Sequence, residues 1–305
     1  MQLIVQTFLN PVFPVFAIML LGIILGKRKV FDFRDAQTIN KFVFYALVPP
    51  VIFSLIYSAP LDQIDYTIIT LWVVAEITIF TITAYTVRTW LKRSKLESML
   101  LGMASCFVNH VFFILPIVTV LYGDQGVLPL SAVISIDMVI FFCGMVMALE
   151  VVAHRGDSYL KVGASFLRNP VLAAMALGLA ANIMGLPLHD GLNTFLSFTG
   201  SAAAPAALFS LGIIMADVRI SRSDGAALVV TTMKTVVHPL FIWFLFSTVN
   251  GLDSNWTQTV LLTAAGPCGA MPFVLALQYK IKADSIGIAI IISTVASLFT
   301  LSVLA

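Results

Sequence analysis

The chain predicts an all-α membrane protein of ten transmembrane helices, arranged as two inverted five-helix repeats with broken crossover helices at the fourth and ninth positions. Three observations carry this expectation. The composition is 60% hydrophobic and only 10% charged, with a mean hydropathy of +1.01, against roughly 25% charged residues in a soluble domain. The apolar residues fall into blocks of roughly 20, the length a helix rising about 1.5 Å per residue needs to cross a hydrocarbon core of about 30 Å. Identical residues also recur at one constant separation across several of these blocks. No polar interval is long enough to hold the core of a soluble domain.

The first predicted helix, 8–26, ends on the basic turn GKRK. Its Gly22 and Gly26 form a GxxxG packing face; no Ser or Thr follows the lysine, so it is not a phosphate-binding loop. The N-terminal MQLIVQTFLNP has no basic stretch and no small-residue cleavage site, and reads as part of the mature protein. The second helix, 39–58, contains Pro49 and Pro50. The third, 66–90, carries Glu76 and runs into the cluster Arg88, Lys92, Arg93 and Lys95. The fourth, 97–121, contains ASCFVNHVFFILPIVTV, with Asn109, His110 and a helix breaker at Pro116. The fifth, 129–152, holds Asp137. The sixth and seventh cover 166–186 and 192–215. The eighth, 226–249, holds Lys234 and His238. The ninth, 257–279, contains AAGPCGAMP, with Gly266, Pro267, Gly269 and Pro272. The tenth covers 285–304.

Charge distribution supports the count. The odd-numbered loops carry Lys27, Arg28, Lys29, Arg34, Arg88, Lys92, Arg93, Lys95, Arg155, Lys161, Arg168, Arg219, Arg222, Lys280 and Lys282, with Lys41 on the same side; the even loops hold Asp62, Asp65, Asp124, Asp190, His189 and Asp253, and no Lys or Arg. Only Lys234, of 17 basic residues, falls outside this pattern. By the positive-inside rule the odd loops are cytoplasmic and both termini face outward, in the cell (inner) membrane.

At an offset of 156 residues, Met19 and Gly22 match Met175 and Gly178, Phe42 matches Phe198, and Pro49, Phe53, Ser54 and Leu55 match Pro205, Phe209, Ser210 and Leu211. Pro116 matches Pro272, and Asn10-Pro11 resembles Asn169-Pro170 at a slightly different offset. The expected repeats are 1–155 and 156–305. Five helices per copy is an odd number, so the second copy inserts upside down, an arrangement recurrent in secondary transporters that bind substrate near the midplane on discontinuous helices.

The candidate site residues follow from the breaks. Proline removes a backbone donor and glycine weakens a helix, so the fourth and ninth helices break at similar depth, at Pro116 and at Gly266, Pro267, Gly269 and Pro272. Broken backbone at that depth is tolerated only inside protein or beside a water-filled cavity, where half-helix dipole ends attract ions. The alternative is that the prolines only kink two packed helices. Asn109 offers donors and acceptors for a carboxylate, or an interhelical hydrogen bond. A regular helix would turn His110 about 100° away from Asn109, leaving it to line a cavity, titrate, or bond a carbonyl. The intramembrane ionisable residues Glu76, Asp137, Lys234 and His238 are expected to face the interior, and Glu76, Asp137, His238 and His110 are candidates for coupling to H+ or Na+. Glu76 and Lys234 are a candidate ion pair, with Lys234 alternatively lending positive potential to an anion. Cys106, Cys143 and Cys268 read as buried small hydrophobes, with no disulfide or metal framework and no cofactor implied. The short juxtamembrane basic runs do not suit nucleic acid, and no HExxH or other hydrolase motif points to an enzyme.

The run LGIILGKRKVFDFRDAQTINKFVFYALVPPVIFSL resembles the opening of the auxin efflux carrier family of membrane transporters, whose bacterial members include malonate and malate permeases. VNHVFFILPIVTVLYGDQG is similar to that family's fourth-helix signature, and MKTVVHPLFIWF and GAMPFVLALQYK to its eighth and ninth helices. The resemblance implies helices four and nine crossing at their proline breaks, and movement of a small organic anion past Asn109, Pro116 and Pro272. His110 departs from the small residue or Thr that many relatives place after the asparagine, and the long cytoplasmic loop of the plant carriers is absent. The expected function is secondary active transport of mono- or dicarboxylates, with a sodium-coupled organic-anion symporter of the bile-acid type as the alternative and a channel as a third; a homodimer is left open.

The topology is testable in a background with Cys106, Cys143 and Cys268 replaced by Ala. A membrane-impermeant maleimide is expected to label Asp190→Cys in intact cells, and Lys92→Cys only after permeabilisation. The opposite labelling pattern would reverse the orientation.

Overall fold

The computed structural model describes residues 2–59, 61, 63–153, 168–216, 224–249 and 254–304, with side chains at all of these except 2–12, 15, 16, 111, 112, 116, 124, 153, 298 and 302–304. The expected repeat boundary at 155/156, the loop residues Asp62, Arg155, Lys161, Arg219, Arg222 and Asp253, and the side chains of Asn10, Pro11, Pro116 and Asp124 lie outside what is described. Among the described residues the chain is helical, with a single isolated bridge, Val108 to Cys268, in place of any strand.

The helices are α1 Gln2–Lys27, α2 Phe33–Tyr57, α3 Tyr66–Thr89, α4 Lys95–Cys106, α5 110–122, α6 124–153, α7 Pro170–Ile183, α8 Asp190–Met215, α9 Gly225–Val249, α10 Asn255–Ala264, α11 Met271–Gln278 and α12 Asp284–Leu304. Among the residues with described side chains, six helices, α2, α3, α6, α8, α9 and α12, are long and apolar enough to cross a membrane by themselves. The fourth and ninth predicted helices are each cut in two, giving α4 with α5 and α10 with α11, so each piece is too short to span alone. The protein is thus an integral, multi-pass membrane protein.

Polar side chains at the starts explain most boundaries. Asp32 and Asp35 form a capping box that begins α2 at Phe33, six residues ahead of the hydropathy-based expectation: the Asp32 carboxylate accepts from the N–H groups of Arg34 and Asp35, and Asp35 accepts from the Asp32 N–H. That first stretch, FRDAQTINKF, is too polar for a hydropathy window to include, yet its orphan N–H groups are satisfied locally. Asp65, Ser94, Asn169, Asp224 and Ser254 cap α3, α4, α7, α9 and α10 in the same way.

Glycine sets the closest helix contacts. α1 lies on α8 with Gly22 against Gly212: a Cβ at Gly22 would stand 3.0 Å from the Gly212 Cα and collide with the Phe209 carbonyl oxygen. α7 meets α2 the same way, with a Cβ at Gly178 falling 2.9 Å from the Phe53 carbonyl oxygen. Gly22 and Gly178, and Phe53 and Phe209, are each 156 residues apart, so the same glycine-to-carbonyl contact occurs twice with the roles of the two segments exchanged. Small residues allow such approach, and in lipid, where apolar surface has no drive to associate, dispersion contact is what close approach gains. Side chains such as Leu20, Ile77, Phe198 and Phe244 stay exposed on the outer surface.

Two polar knots tie helix ends together. Arg93 pairs with Glu97 at 3.1 Å and approaches Asp224 at 3.5 Å, and Ser285 donates to Asp224 at 2.9 Å, joining the ends of α3, α4, α9 and α12. Glu150 accepts from Asn169 at 3.0 Å and from the Tyr279 hydroxyl at 2.8 Å, joining α6, α7 and the end of α11.

Adding one methyl at Gly212 is expected to cost about 1–3 kcal/mol, because both sides of the contact are backbone. The control Gly144→Ala, where a Cβ meets nothing within 4 Å, is expected to be neutral or to gain up to about 1 kcal/mol. Thermal unfolding of the two variants in detergent separates them; equal melting temperatures would remove the glycine contact as a determinant of packing.

Candidate functional site

The two helix breaks face one another. α4 ends at Cys106 and residues 107–109 run extended, while α10 ends at Ala264 and residues 265–270 cross opposite them. The Asn109 N–H donates to the Pro267 carbonyl at 3.0 Å, and the Gly269 N–H donates to the Phe107 carbonyl at 2.9 Å. Each break thereby satisfies backbone groups that the other leaves open. Glycine is needed at this crossing, since a Cβ on Gly269 would lie 2.7 Å from the Phe107 ring and 2.9 Å from the Val108 carbonyl, and one on Gly266 would lie 2.6 Å from Ile114.

Side chains close the remaining carbonyls. Lys234 Nζ donates to the Ala264 carbonyl at 3.1 Å, Thr300 Oγ1 to the Ala265 carbonyl at 3.2 Å, and Ser293 Oγ accepts from the Cys268 N–H at 3.1 Å. Lys234 therefore places its charge at the C-terminal, negative end of α10.

Wide π turns position several of the polar groups. Among the described residues four occur, at Val43–Leu47, His110–Ile114, Met138–Cys143 and Met233–Val237. The first, second and last each end two residues before a proline: Pro49, Pro116 and Pro239. Proline's ring conflicts with the carbonyl four residues earlier, and widening that turn relieves the conflict. The widened turns begin at His110, follow directly on Asp137, and contain Lys234 just before His238.

A cavity of about 50 Å³ lies at the crossing, lined on one side by Phe107, Val108, Asn109 and His110 and on the other by Gly269, Ala270 and Met271, with Met138 and residues of α2 and α8 completing it. It has room for a water or two and falls far below the roughly 300–1,000 Å³ of a ligand pocket. Asn109 and His110 both reach it because Asn109 is not helical (φ −81°, ψ 73°), which corrects the expectation that a regular turn would point them apart. The Asn109 side-chain amide makes no hydrogen bond to any described residue.

Behind the cavity lies a second layer of fully buried polar groups. Trp72 Nε1 donates to Asp137 Oδ1 at 2.7 Å. His110 Nε2 comes within 3.0 Å of Asp137 Oδ2, off the line of a hydrogen bond. Lys234 Nζ and His238 Nδ1 are 2.9 Å apart, and the His238 ring tilts against Trp72 with centroids 5.3 Å apart. Glu76 lies against Asp137 and Trp72, within side-chain reach of both, yet neither of its oxygens receives a well-directed hydrogen bond. The ion pair expected between Glu76 and Lys234 does not form: Lys234 is taken by Ala264 and His238, and acts on Glu76 only through longer-range charge.

The predicted residues thus divide. Asn109, His110 and Gly269 line the cavity; Gly266 and Pro267 build the crossing; Pro272 occupies the second position of α11, as Pro116 does in the α-helical part of α5, Leu115–Tyr122. Lys234, Glu76, Asp137 and His238 stand in the layer behind. Cys106, Cys143 and Cys268 are free and buried. Sequence reading missed Trp72, Ser293 and Thr300. Trp72 had a signal: it precedes Glu76 by four residues on α3 and so shares its face, and a buried indole N–H needs an acceptor.

Apolar spanning helices, two of them interrupted and hydrogen-bonded to each other around a small cavity that Asn109 and His110 reach, fit a membrane transporter, and the family match below shows that class rather than an enzyme. The family model described as Membrane transport protein matches residues 7–305, and the chain belongs to that family, the auxin efflux carrier family. It is 22% identical over 299 residues to a Rhizobium meliloti protein named "Putative malonate transporter", covering 95% of this chain and 92% of the relative. An uncharacterized transporter of Methanothermobacter thermautotrophicus is 27% identical over 293 residues, 95% of each chain. "Auxin efflux carrier component 8" of Arabidopsis thaliana is 21% identical over 343 residues, 94% of this chain and 93% of that one.

Trp72→Phe keeps the ring and deletes the donor to Asp137. It is expected to lower stability by about 1.5–3 kcal/mol, the range for a hydrogen bond to a charged group, whereas Trp90→Phe at an exposed position is expected to stay within about 0.5 kcal/mol of the parent. Chemical unfolding in detergent measures both.

Proposed function

We propose that this chain is a secondary active transporter of small organic anions, mono- or dicarboxylates such as malonate, working by alternating access. The observation that carries the reading is the meeting of two half-helix starts, at His110 and Met271, with the unengaged amide of Asn109 on one cavity. Helix starts present unsatisfied N–H groups and the positive end of the dipole, which favour an anion. Asn109 adds neutral donors for a carboxylate oxygen. Lys234, set back at the end of α10, contributes positive potential rather than contact. Opening the cavity toward one membrane face at a time gives access to the substrate.

The reading carries with it two inverted five-helix repeats, 1–155 and 156–305, ten crossings in all, and both termini outside the cell membrane. The doubled glycine contact supports it, as does a further match: the helical segments Leu115–Tyr122 and Met271–Gln278 have the same length and are offset by 156 residues. Malonate is chosen as first substrate because one relative bears it in its name. The coupling ion is H+ or Na+, with Glu76, Asp137 and His238 as its candidate residues.

Uptake of labelled malonate into proteoliposomes tests the site. Asn109→Ala and Lys234→Ala are each expected to reduce uptake at least about tenfold, a loss of roughly 1.4 kcal/mol or more, while the purified variants remain monodisperse. Unchanged uptake in both would mean the anion binds elsewhere.

A further inference from the structure

The layer behind the cavity contains buried carboxylate oxygens to which no described residue donates. Glu76, on α3, is fully buried and both its oxygens lack a hydrogen-bond donor; on the facing carboxylate of Asp137, on α6, Oδ1 accepts from Trp72 while Oδ2 has no bonded partner. Two neighbouring carboxylates, both fully buried and joined through Trp72, which donates to one and stands a turn before the other on α3, cannot both stay ionised without a compensating charge. The groups that face Glu76 are few: Asp137 from α6, Lys234 from α9 and Trp72 from its own helix, with Cys106 of α4 close enough to interact electrostatically. His238 of α9 lies beyond, on Lys234 and Trp72. Lys234 offsets one negative charge and is engaged elsewhere. One proton placed between the carboxylates offsets the second and turns one carboxyl into the donor that the other accepts.

We propose that Glu76 and Asp137 hold one exchangeable proton between them, and that His110 couples this proton to an anion in the cavity. The inference rests on the transport reading above and selects H+ as its coupling ion. A metal cation would bring its full charge, and a shell of several oxygen ligands, within range of the Lys234 ammonium, whereas a proton needs only the two oxygens. His110 is the physical link. Its ring lies 3.0 Å from Asp137 Oδ2 on one side, lines the cavity on the other, and both its nitrogens are without a hydrogen-bonding partner. An anion in the cavity adds negative charge within one side chain of the pair, so anion and proton each favour the other's binding. Such mutual dependence is reciprocal by linkage, and it makes the cycle a symport. The proton enters from the face to which the cavity opens and leaves to the opposite face with the anion; no covalent bond other than the O–H is made or broken.

The test has two arms on the full-length protein reconstituted in lipid. Infrared difference spectra taken across a pH titration read protonated carboxyl groups directly, with no substrate present. The expected result is one protonated-carboxyl band in the parent protein at neutral pH, lost or displaced in both Glu76→Gln and Asp137→Asn. In the second arm, labelled malonate uptake is driven by an imposed pH gradient with the membrane potential clamped. A gradient of about one pH unit is expected to give up to about tenfold accumulation for one proton per anion, and the ratio of uptake with and without the gradient is expected to fall toward one in Glu76→Gln. A missing carboxyl band, or uptake driven by a sodium gradient and indifferent to pH, would overturn the proposal. If the band is present and responds to both substitutions while no malonate is taken up, the proton pair stands and the malonate reading falls.

Discussion

A chain inside a bilayer must satisfy its backbone from within, and in this protein two helices are broken in the buried interior. The pair of hydrogen bonds between residues 107–109 and 267–269 resolves that constraint. Each unsatisfied group in hydrocarbon would cost several kcal/mol, so neither break is tolerable without the other. The glycines at 266 and 269 follow from the closeness this demands, and Lys234, Thr300 and Ser293 follow from the carbonyls and N–H that the pair leaves over. The cavity is what remains between the half-helix starts once they are held in this way.

The prolines link the backbone to the charged layer. Each proline at 49, 116 and 239 has a widened turn ahead of it, and such a turn shifts the side chains after it around the helix axis. At Lys234, inside the last of these turns, the side chain reaches both His238 and the end of α10, while the non-helical backbone at Asn109, just before the second, brings His110 to the cavity. Breaks and titratable groups are therefore one construction: the irregular backbone supplies the anion-attracting helix ends, and the same irregularity sets buried charge directly behind them.

Much of this was legible in the chain. Asn109, His110 and the Gly266–Pro272 run stand out because polar and helix-breaking residues in an apolar block have no cheap explanation, and Gly22 stands out as half of a GxxxG pair. The boundaries of α2 and the halves of the fourth and ninth helices were less legible, since a hydropathy window averages over a capping box and over a short apolar interruption alike. The pairing of the buried charges was misread for a different reason. Glu76 and Lys234 are the obvious opposite charges, but a lysine at the end of a broken helix finds a carbonyl and an imidazole nearer to hand.

By itself the sequence determined that the chain is helical, that it belongs in a membrane and that two of its helices are interrupted, because composition, periodicity and proline chemistry are local properties that need no neighbour; the fourth helix breaks at 107–109 rather than at the expected Pro116, which lies inside α5. Only the tertiary structure decided that the two weak points hydrogen-bond to each other, that Trp72 and His110 converge on Asp137, and that Glu76 is left facing a second carboxylate. Those are contacts between segments up to about 160 residues apart, and which oxygen receives a donor depends on distances and angles that no single helix specifies.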